Sequence, residues 1–219
     1  MVFHLCGKLG NLLGCLVARA KKINVSNCGY VFCTSNEHNA VLYMGVILMK
    51  HKTNFCDRLF NLNPKIRIYD LDGTIIDSSH RIKLHENGSL DLDHWKANCT
   101  KDQIFKDDLL PLYWKLVSDY KAGHYVVLCT ARELTKYDYE YIHSMGIYYD
   151  KIISRPKGNT TVDHVLKKSQ LQYFWNLKPF KNLYKYFYDD NPNNLKAINS
   201  LGQGSVFNAE EWNNIKLAN

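Results

Sequence analysis

The sequence predicts an α/β fold, a parallel sheet with helices on both faces, for residues 61–219, preceded by an N-terminal extension of residues 1–60. Short apolar runs alternate with segments of helical periodicity from residue 65 onward, which is typical of a parallel sheet. The run Tyr125–Cys129 is continuously apolar, as expected for a strand buried on both faces. A length of 219 residues suits one such domain plus an extension.

Each element of the domain follows from a local pattern. Pro64 disfavours helix at the residue before it and marks the domain boundary. Gly123 and Gly146 end two helices, and Thr160 or Thr161 is placed to cap a third. The predicted strands cover residues 66–70, 125–129, 152–153, 184–188 and 205–207, and the predicted helices cover residues 109–121, 134–144, 161–175 and 193–200.

The extension differs in composition from the domain. It holds five of the seven cysteines, and seven Lys or Arg residues against two acidic residues. An odd number of cysteines without a regular framework indicates reduced thiols. Its apolar runs are too short to span a bilayer, so we expect no membrane segment and a cytoplasmic protein, in the host cell if the source is viral. Its role stays open between a packing element and an interaction or metal-binding segment.

Polar side chains directly follow three of the predicted strands. They are Asp70 and Asp72, then Thr130 and Arg132, then Asp189 and Asp190. Ligands of parallel sheets bind beyond the carboxyl ends of the strands. Acidic groups from separate strands repel each other there unless a cation lies between them. We therefore expect these side chains to converge at one edge of the sheet, with a cation between the acidic groups.

The segment Asp70-Leu71-Asp72-Gly73-Thr74 is the strongest local signal. Gly73 permits a turn after the strand, so both carboxylates can face one pocket. One carboxylate can attack phosphorus, and the other can protonate the leaving oxygen and later deprotonate water. For this segment taken alone, the alternative is a turn whose acidic residues serve only solubility.

Four segments in this order resemble the motifs of the haloacid dehalogenase superfamily of aspartate-nucleophile phosphatases, which have a Rossmann-like fold. The segment from Asp70 to Thr74 resembles the first motif, and Thr130 resembles the second, a hydroxyl that binds the transferred phosphoryl group. Lys167 resembles the third, and Asp189 with Asp190 resembles the fourth, which holds magnesium. The resemblance implies a Mg²⁺-dependent phosphomonoesterase with an aspartyl-phosphate intermediate.

The resemblance also implies a role for each of these residues. Asp70 is expected to be the nucleophile and Asp72 the general acid and base. Mg²⁺ prefers oxygen ligands and usually keeps several waters. We expect Asp70, the main-chain carbonyl of Asp72 and Asp189 to bind the ion, with Asp190 as a direct or water-bridged partner.

A lysine on the helix predicted for residues 161–175 is expected to offset the negative charge of the nucleophile and the phosphate. Lys167 and Lys168 are both candidates. Lys167 is favoured because Asp163 lies four residues earlier on the same helix face, where it could orient the ammonium group.

A closer resemblance concerns the substrate. The chain resembles the phosphatase domain of the bacteriophage polynucleotide kinase-phosphatase, which has phosphate-binding arginines at the positions of Arg81 and Arg132. It also places Asp163 among the substrate-binding residues. Two guanidiniums beside a metal suit a dianionic phosphate. Alternatively, Arg81 pairs with Asp77 or Asp91. The kinase half of that protein is missing, since the chain contains no phosphate-cradling G-x-x-x-x-G-K-[ST].

The insert after the first motif, about residues 77–108, is predicted to be a minimal cap. A small cap leaves the pocket open to an end of DNA or RNA as well as to a nucleotide. Trp95 in this insert either stacks on a base or anchors the insert onto the core. We therefore expect a phosphatase that acts on a nucleic-acid 3'-phosphate end or a nucleotide. A small-molecule monophosphatase of another kind and a non-catalytic binding module with the same fold are the alternatives.

Overall fold

A five-stranded parallel sheet forms the centre of the part of the chain that the computed structural model describes, which is Leu59 and residues 61–217. The strands in chain order are β1 (Ile66–Tyr69), β2 (Ile76–Asp77), β3 (Asp108–Leu109), β4 (Tyr125–Cys129), β5 (Lys151–Ile153), β6 (Lys185–Asp189) and β7 (Gly204–Asn208). The order in the sheet is β5-β4-β1-β6-β7. Apart from Leu59, the extension predicted for residues 1–60 lies outside the described residues.

Helices cover both faces of this sheet. They are α1 (Leu92–Ala97), α2 (Lys101–Ile104), α3 (Leu112–Lys121), α4 (Lys136–Ser144), α5 (Asp163–Asn176), α6 (Pro192–Asn199) and α7 (Ala209–Leu217). Side chains of α3, α4 and α7 belong to one apolar core, and side chains of α5 and α6 belong to the other. None of the helices described in residues 61–217 has the length and apolar character that a bilayer crossing requires.

Strand β1 lies at the middle of the sheet, and its side chains belong to both cores. Ile66 and Ile68 are fully buried in the core under α5 and α6, whereas Tyr69 is fully buried in the opposite core. Burying one such side chain contributes about 1.5–3 kcal/mol. The strand therefore contributes apolar side chains to the cores on both faces of the sheet.

The carboxyl end of β1 is the topological switch point of the sheet. From β1 the chain adds β4 and β5 on one side, and it then returns to add β6 and β7 on the other side. Connections on either side therefore leave a crevice beyond the end of β1, which is where ligands of such sheets bind. Asp70, the first residue after β1, lies at this crevice.

The predicted α/β class is confirmed, and the elements that were predicted differ from the observed ones at their ends. Strand β4 has the predicted bounds, whereas α3 begins at Leu112 because Pro111 takes its N-cap position. Helix α5 begins at Asp163, and within the described residues its N-cap, Val162, makes no side-chain capping bond. The expected caps Thr160 and Thr161 are thus too early in the chain. Helix α7 and the elements of the insert were not predicted.

A short antiparallel ribbon joins the two ends of the insert. Strands β2 and β3 pair Ile76 with Leu109 and Asp77 with Asp108. The insert therefore leaves the core and rejoins it at one place. Between the two strands lie a 3₁₀ turn, Ser79–Arg81, and the short helices α1 and α2.

Gly204 lies in the edge strand β7, where the main chain of β6 leaves no room for a side chain. A Cβ atom at this position would lie 2.2 Å from the main-chain carbonyl oxygen of Lys185, which the pairing of β6 with β7 holds in place. We expect Gly204→Ala to lower the free energy of unfolding by about 1–3 kcal/mol, as other overpacking changes do. Urea denaturation measures this loss, with Gln203→Ala as the control. Equal midpoints for Gly204→Ala and the wild type would contradict the argument.

Candidate active site

Three carboxylates from two neighbouring strands meet at the switch point. Asp70 follows β1, Asp189 ends β6, and Asp190 comes next in the chain. The N–H of Asp70 donates to the carbonyl of Tyr188 over 3.0 Å, which extends the β1–β6 ladder to the site. One carboxylate oxygen from each of the three residues lies within 4.8 Å of the others. The sheet thus places three acidic groups close enough to share one cation.

The ammonium group of Lys167 lies against two of these carboxylates. Its Nζ is 2.9 Å from Oδ1 of Asp70 and donates a hydrogen bond of 2.7 Å to Oδ2 of Asp189. Lys167 is 1% exposed, so its charge is neutralised by these acids rather than by water. Asn194 on α6 donates to the carboxylate of Asp189 over 2.9 Å, and the N–H of Asn191 donates to the same carboxylate over 2.9 Å.

Burial and mutual repulsion change the pKa values of these groups. Burial, with a further contribution from Asp189, raises the pKa of Asp70 well above its usual value, although Lys167 opposes this. Burial and the charge of Asp189 raise the pKa of Asp190 to about 6. Burial alone would lower the pKa of Lys167, but the charges of Asp70 and Asp189 outweigh it and raise that pKa. The carboxylates therefore need more positive charge than Lys167 supplies.

Gly73 allows Asp190 to approach the turn after β1. Its φ of 68° lies in the left-handed region, and a Cβ atom at this position would be 2.3 Å from Oδ2 of Asp190. A side chain at residue 73 would therefore strain the turn and displace the carboxylate. The glycine of the first motif is explained by this contact as well as by the turn itself.

Asp72 is held beside the carboxylate cluster by hydrogen bonds from two side chains. Ser78 Oγ donates to Oδ1 of Asp72 over 2.6 Å, and Nε of Arg132 donates to Oδ2 over 3.1 Å. The Nη2 group of Arg132 also contacts Oδ1. Burial raises the pKa of Asp72, but the charge of Arg132 and these hydrogen bonds outweigh it, so that pKa lies below its usual value. The side chain of Asp72 is outside the three-carboxylate cluster.

Arg132 is fixed in the site by a helix cap and by the strand-end threonine. Its Nη1 donates to Oδ1 of Asp138 over 2.5 Å. Asp138 belongs to the capping box of α4, where its other oxygen accepts hydrogen bonds of 2.7 Å from the N–H and the hydroxyl of Thr135. The N–H of Arg132 donates to Oγ1 of Thr130 over 3.0 Å, which links Arg132 to the end of β4.

Arg81 has a carboxylate partner that the sequence analysis did not consider. It is fully buried and donates from Nε to Oδ1 of Asp107 over 2.9 Å and from Nη2 to Oδ2 over 2.5 Å. Its partner is therefore Asp107, and not Asp77 or Asp91. The ring of Trp95 lies 4.5 Å from the guanidinium carbon of Arg81 and 5.2 Å from that of Arg132. In this arrangement Trp95 contacts two cations of the site.

Asp163 and Lys168 lie away from the cluster. Asp163 does not pair with Lys167, as its spacing suggested, because Nη2 of Arg155 contacts its Oδ1 at 2.5 Å. Lys168 donates to Oγ of Ser200 over 2.8 Å. The geometry therefore brings Lys167, and not Lys168, to the strand ends. A substrate-binding role for Asp163 stays a prediction.

The cluster suits a hard divalent cation. Within the described part of the chain, the buried Oδ1 of Asp70 accepts no hydrogen bond, although Lys167 lies beside it. Three carboxylates and one ammonium group leave two negative charges, which a divalent cation would balance. All of the donor atoms are oxygens, which suits Mg²⁺ better than a soft metal.

Four residues of the site were missed by the sequence analysis: Ser78, Asp107, Asp138 and Asn194. One of them had a usable signal, because Thr135 followed by Asp138 has the spacing of a capping box. Asp107 pairs with Arg81 across 26 residues, which local spacing does not indicate. Ser78 and Asn194 bond to Asp72 and Asp189, six and five residues earlier in the chain, at spacings that are not those of a helix cap or a tight turn.

Comparisons with known proteins agree with this geometry. A family model described as Bacteriophage T5 5'-deoxynucleotidase matches residues 52–217. The 5'-deoxynucleotidase of Escherichia phage T5 is 34% identical over 128 residues, which make up 56% of this chain and 49% of that protein. The chain thus spans about half the length of the curated relative that it matches.

Two solved structures are also similar. A chain of the Pnkp1/Rnl/Hen1 complex matches with a TM-score of 0.51 at 16% identity, over 90% of this chain and 60% of that chain. A haloacid dehalogenase-like hydrolase from Streptococcus pneumoniae matches with a TM-score of 0.46 at 15% identity, over 64% of this chain and 81% of that chain. At this identity, the likeness to the complex supports the fold alone.

Lys167 and Lys168 provide a matched pair of variants. We expect Lys167→Met to lower the free energy of unfolding by about 3–5 kcal/mol, because it leaves buried carboxylates without their cation. Lys168→Met removes an exposed ammonium group on the same helix and should change stability by less than about 0.5 kcal/mol. Chemical denaturation of both variants measures the difference. Similar losses in the two variants would show that Lys167 does not neutralise the cluster.

Proposed function

The chain belongs to the bacteriophage T5 5'-deoxynucleotidase family, and from this premise we propose that it is a Mg²⁺-dependent phosphatase that releases the 5'-phosphate of deoxynucleoside monophosphates. The observation that carries the proposal is the meeting of Asp70, Asp189 and Asp190 at the strand ends, with the buried ammonium of Lys167 against the first two. The name of the phage T5 relative supports the substrate class. Of the substrates that the sequence suggested, a nucleotide is therefore preferred to a 3'-phosphate end.

Asp70 is proposed as the nucleophile. One of its carboxylate oxygens attacks the phosphorus atom, the bond from phosphorus to the leaving oxygen breaks, and an aspartyl-phosphate forms. Lys167 lies 2.9 Å from Oδ1 of Asp70, so its charge favours the ionised carboxylate against the effect of burial and orients it for this attack. The position directly after β1 fixes the main chain of the nucleophile, because its N–H is bonded to the neighbouring strand.

Asp72 is proposed as the general acid and base. It gives a proton to the leaving oxygen, which departs as the nucleoside hydroxyl, and it then takes a proton from the water that attacks the aspartyl-phosphate. The second step breaks the bond from phosphorus to Asp70 and releases inorganic phosphate. The contact with Arg132 favours the ionised form of Asp72, which is the form that accepts a proton from water.

Thr130 and Arg132 are proposed to hold the phosphate. The hydroxyl oxygen of Thr130 accepts a hydrogen bond from the N–H of Arg132, so its proton is free to donate to a phosphoryl oxygen. Arg132 presents Nε and Nη2 toward Asp72, and this edge matches the fork geometry by which guanidinium groups bind phosphate. When the edge turns from Asp72 to the phosphate, Asp72 can be protonated more readily for the first step.

Asp70, Asp189 and Asp190 would hold the magnesium ion, together with the main-chain carbonyl of Asp72. When bound, the ion would stabilise negative charge on the transferring phosphoryl group. Asn194 and Asn191 keep the carboxylate of Asp189 in place through their hydrogen bonds.

The proposal is tested by measuring phosphate release from matched substrates in the presence of Mg²⁺. The panel contains deoxynucleoside 5'-monophosphates, the corresponding 3'-monophosphates, a 3'-phosphorylated oligonucleotide and a sugar phosphate. We expect the 5'-monophosphates to have the highest kcat/KM, and we expect Asp70→Asn to reduce kcat by at least about 10³-fold, since it removes the nucleophile.

Each outcome of this panel has a separate meaning. A preference for the 3'-phosphorylated oligonucleotide would overturn the substrate class and leave the phosphatase chemistry in place. Undiminished turnover by Asp70→Asn would refute the nucleophile. A thermal melt of Asp70→Asn that shows folded protein is the control, because loss of activity through unfolding would be uninformative.

Binding of the ion is tested by its effect on stability. Asp190 adds a third negative charge to the cluster. We therefore expect Asp190→Asn to raise the Tm of the metal-free protein and to reduce the increase in Tm that Mg²⁺ causes. A change of 1 kcal/mol corresponds to about 2–4 °C in a chain of this size. Thermal melts with a chelator and with Mg²⁺ measure both effects, and exposed Glu86→Gln is the control. A Tm of the wild type that is insensitive to Mg²⁺ would count against the metal site.

A further inference from the structure

We propose that Arg81 is a positioning residue, which acts through Asp107 and Trp95 to hold the phosphate-binding guanidinium of Arg132 in place. This inference rests on the proposed function, since it concerns the group that would bind the substrate phosphate. It differs from the expectation for Arg81 that came from the sequence, which was direct contact with the phosphate.

The side chain of Arg81 has no free edge for a phosphate. Its Nε and Nη2 donate to the two oxygens of Asp107, over 2.9 and 2.5 Å, and both side chains have an exposure of 0%. Its Nη1 contacts Sγ of Cys99 at 3.9 Å. A bidentate pair uses the same edge of the guanidinium that would bind a phosphate. Direct binding would therefore require this buried pair to break.

Arg132 has a different set of contacts. Its Nη1 is held by Asp138, which lies in the capping box of α4 and is 1% exposed. Its remaining edge contacts Asp72, which is partly exposed and lies beside the cluster. Arg132 can therefore exchange one partner for a phosphate while the other partner keeps it in position.

Asp107 lies between the two guanidinium groups. Its Oδ2 accepts from Nη2 of Arg81 and is also 3.9 Å from Nη2 of Arg132. His80 adds a third group near this carboxylate, with Nε2 at 3.6 Å from Oδ1. Without Asp107, two buried guanidiniums would face each other with less negative charge between them, and Arg81 would be left without a partner.

Trp95 lies in the same insert as Arg81 and Asp107 and links this pair to Arg132. Its ring lies over the guanidinium groups of both Arg81 and Arg132, at 4.5 and 5.2 Å from the ring centroid to each guanidinium carbon. Cations within about 6 Å of an aromatic centroid are attracted to the ring. The pair formed by Arg81 and Asp107 thus fixes the insert so that Trp95 packs against Arg132.

The test is the affinity of the full chain for inorganic phosphate, measured by calorimetry in the presence of Mg²⁺. The variants are Arg81→Gln, Asp107→Asn and the double variant. If Arg81 acts through Asp107, each single variant should weaken phosphate binding by about tenfold, and the double variant should be no weaker than the singles, since residues of one unit are not additive.

Two other roles for Arg81 give different results. If Arg81 bound the phosphate itself, Asp107→Asn would free its guanidinium, and phosphate affinity would stay the same or increase; that result overturns the inference. If the pair were only structural, both variants would have a lower Tm and an unchanged Kd for phosphate, which also overturns it.

If Arg81→Gln and Asp107→Asn fail to fold, a variant that changes no charge can still test the inference. Trp95→Leu removes the ring that covers Arg81 and Arg132 without removing a charge and should weaken phosphate binding, whereas Trp114→Leu, at an exposed site on α3, should not. Equal phosphate affinity in Trp95→Leu and the wild type would overturn the inference.

The inference and the proposed function fail in different ways. The probe is binding of inorganic phosphate and not turnover, so a preference for another monophosphate refutes only the proposed substrate. A wild-type chain that binds no phosphate in the presence of Mg²⁺ overturns the role given to Arg132 and, with it, the inference.

Discussion

The buried ammonium group of Lys167 is the interaction on which the site depends. Asp70 and Asp189 end adjacent strands, so the sheet brings their charges together whether or not a ligand is present. Lys167 reaches both because the apolar side chains of α5 fix the rotation of that helix: Leu171, four residues later, is fully buried against the sheet. The same packing that stabilises the core therefore places the cation of the site.

The sequence predicted the parts of the fold that depend on local patterns. The bounds of β4 followed from a continuous apolar run, and the positions of Asp70 and Asp189 followed from the rule that ligands bind at the carboxyl ends of parallel strands. Lys167 was favoured over Lys168 for a reason that the structure does not support. The residue brought to the cluster is the favoured one, but it is oriented by Asp70 and Asp189, whereas Asp163 contacts Arg155.

The insert could not be predicted to the same extent, because its structure depends on contacts between residues far apart in the chain. Arg81 and Asp107 are separated by 26 residues and lie together next to the pairing of β2 with β3. No helical or strand periodicity marks this segment, and its helices are short. Sequence distance alone made Asp77 and Asp91 the nearer candidates for Arg81. The partner of Arg81 is instead Asp107, near the end of the insert, and the two side chains are buried away from water.

The charges around the site explain why the proposed phosphatase reaction would need a cation. Among the residues that the structure describes, six carboxylates, those of Asp70, Asp72, Asp107, Asp138, Asp189 and Asp190, face three cationic side chains, those of Lys167, Arg81 and Arg132. Because this balance is negative, the protein groups alone disfavour a dianionic phosphate. The deficit is greatest at the three carboxylates beside Lys167. A divalent cation there would remove the repulsion where the phosphate must approach Asp70, so substrate affinity as well as turnover should depend on the ion.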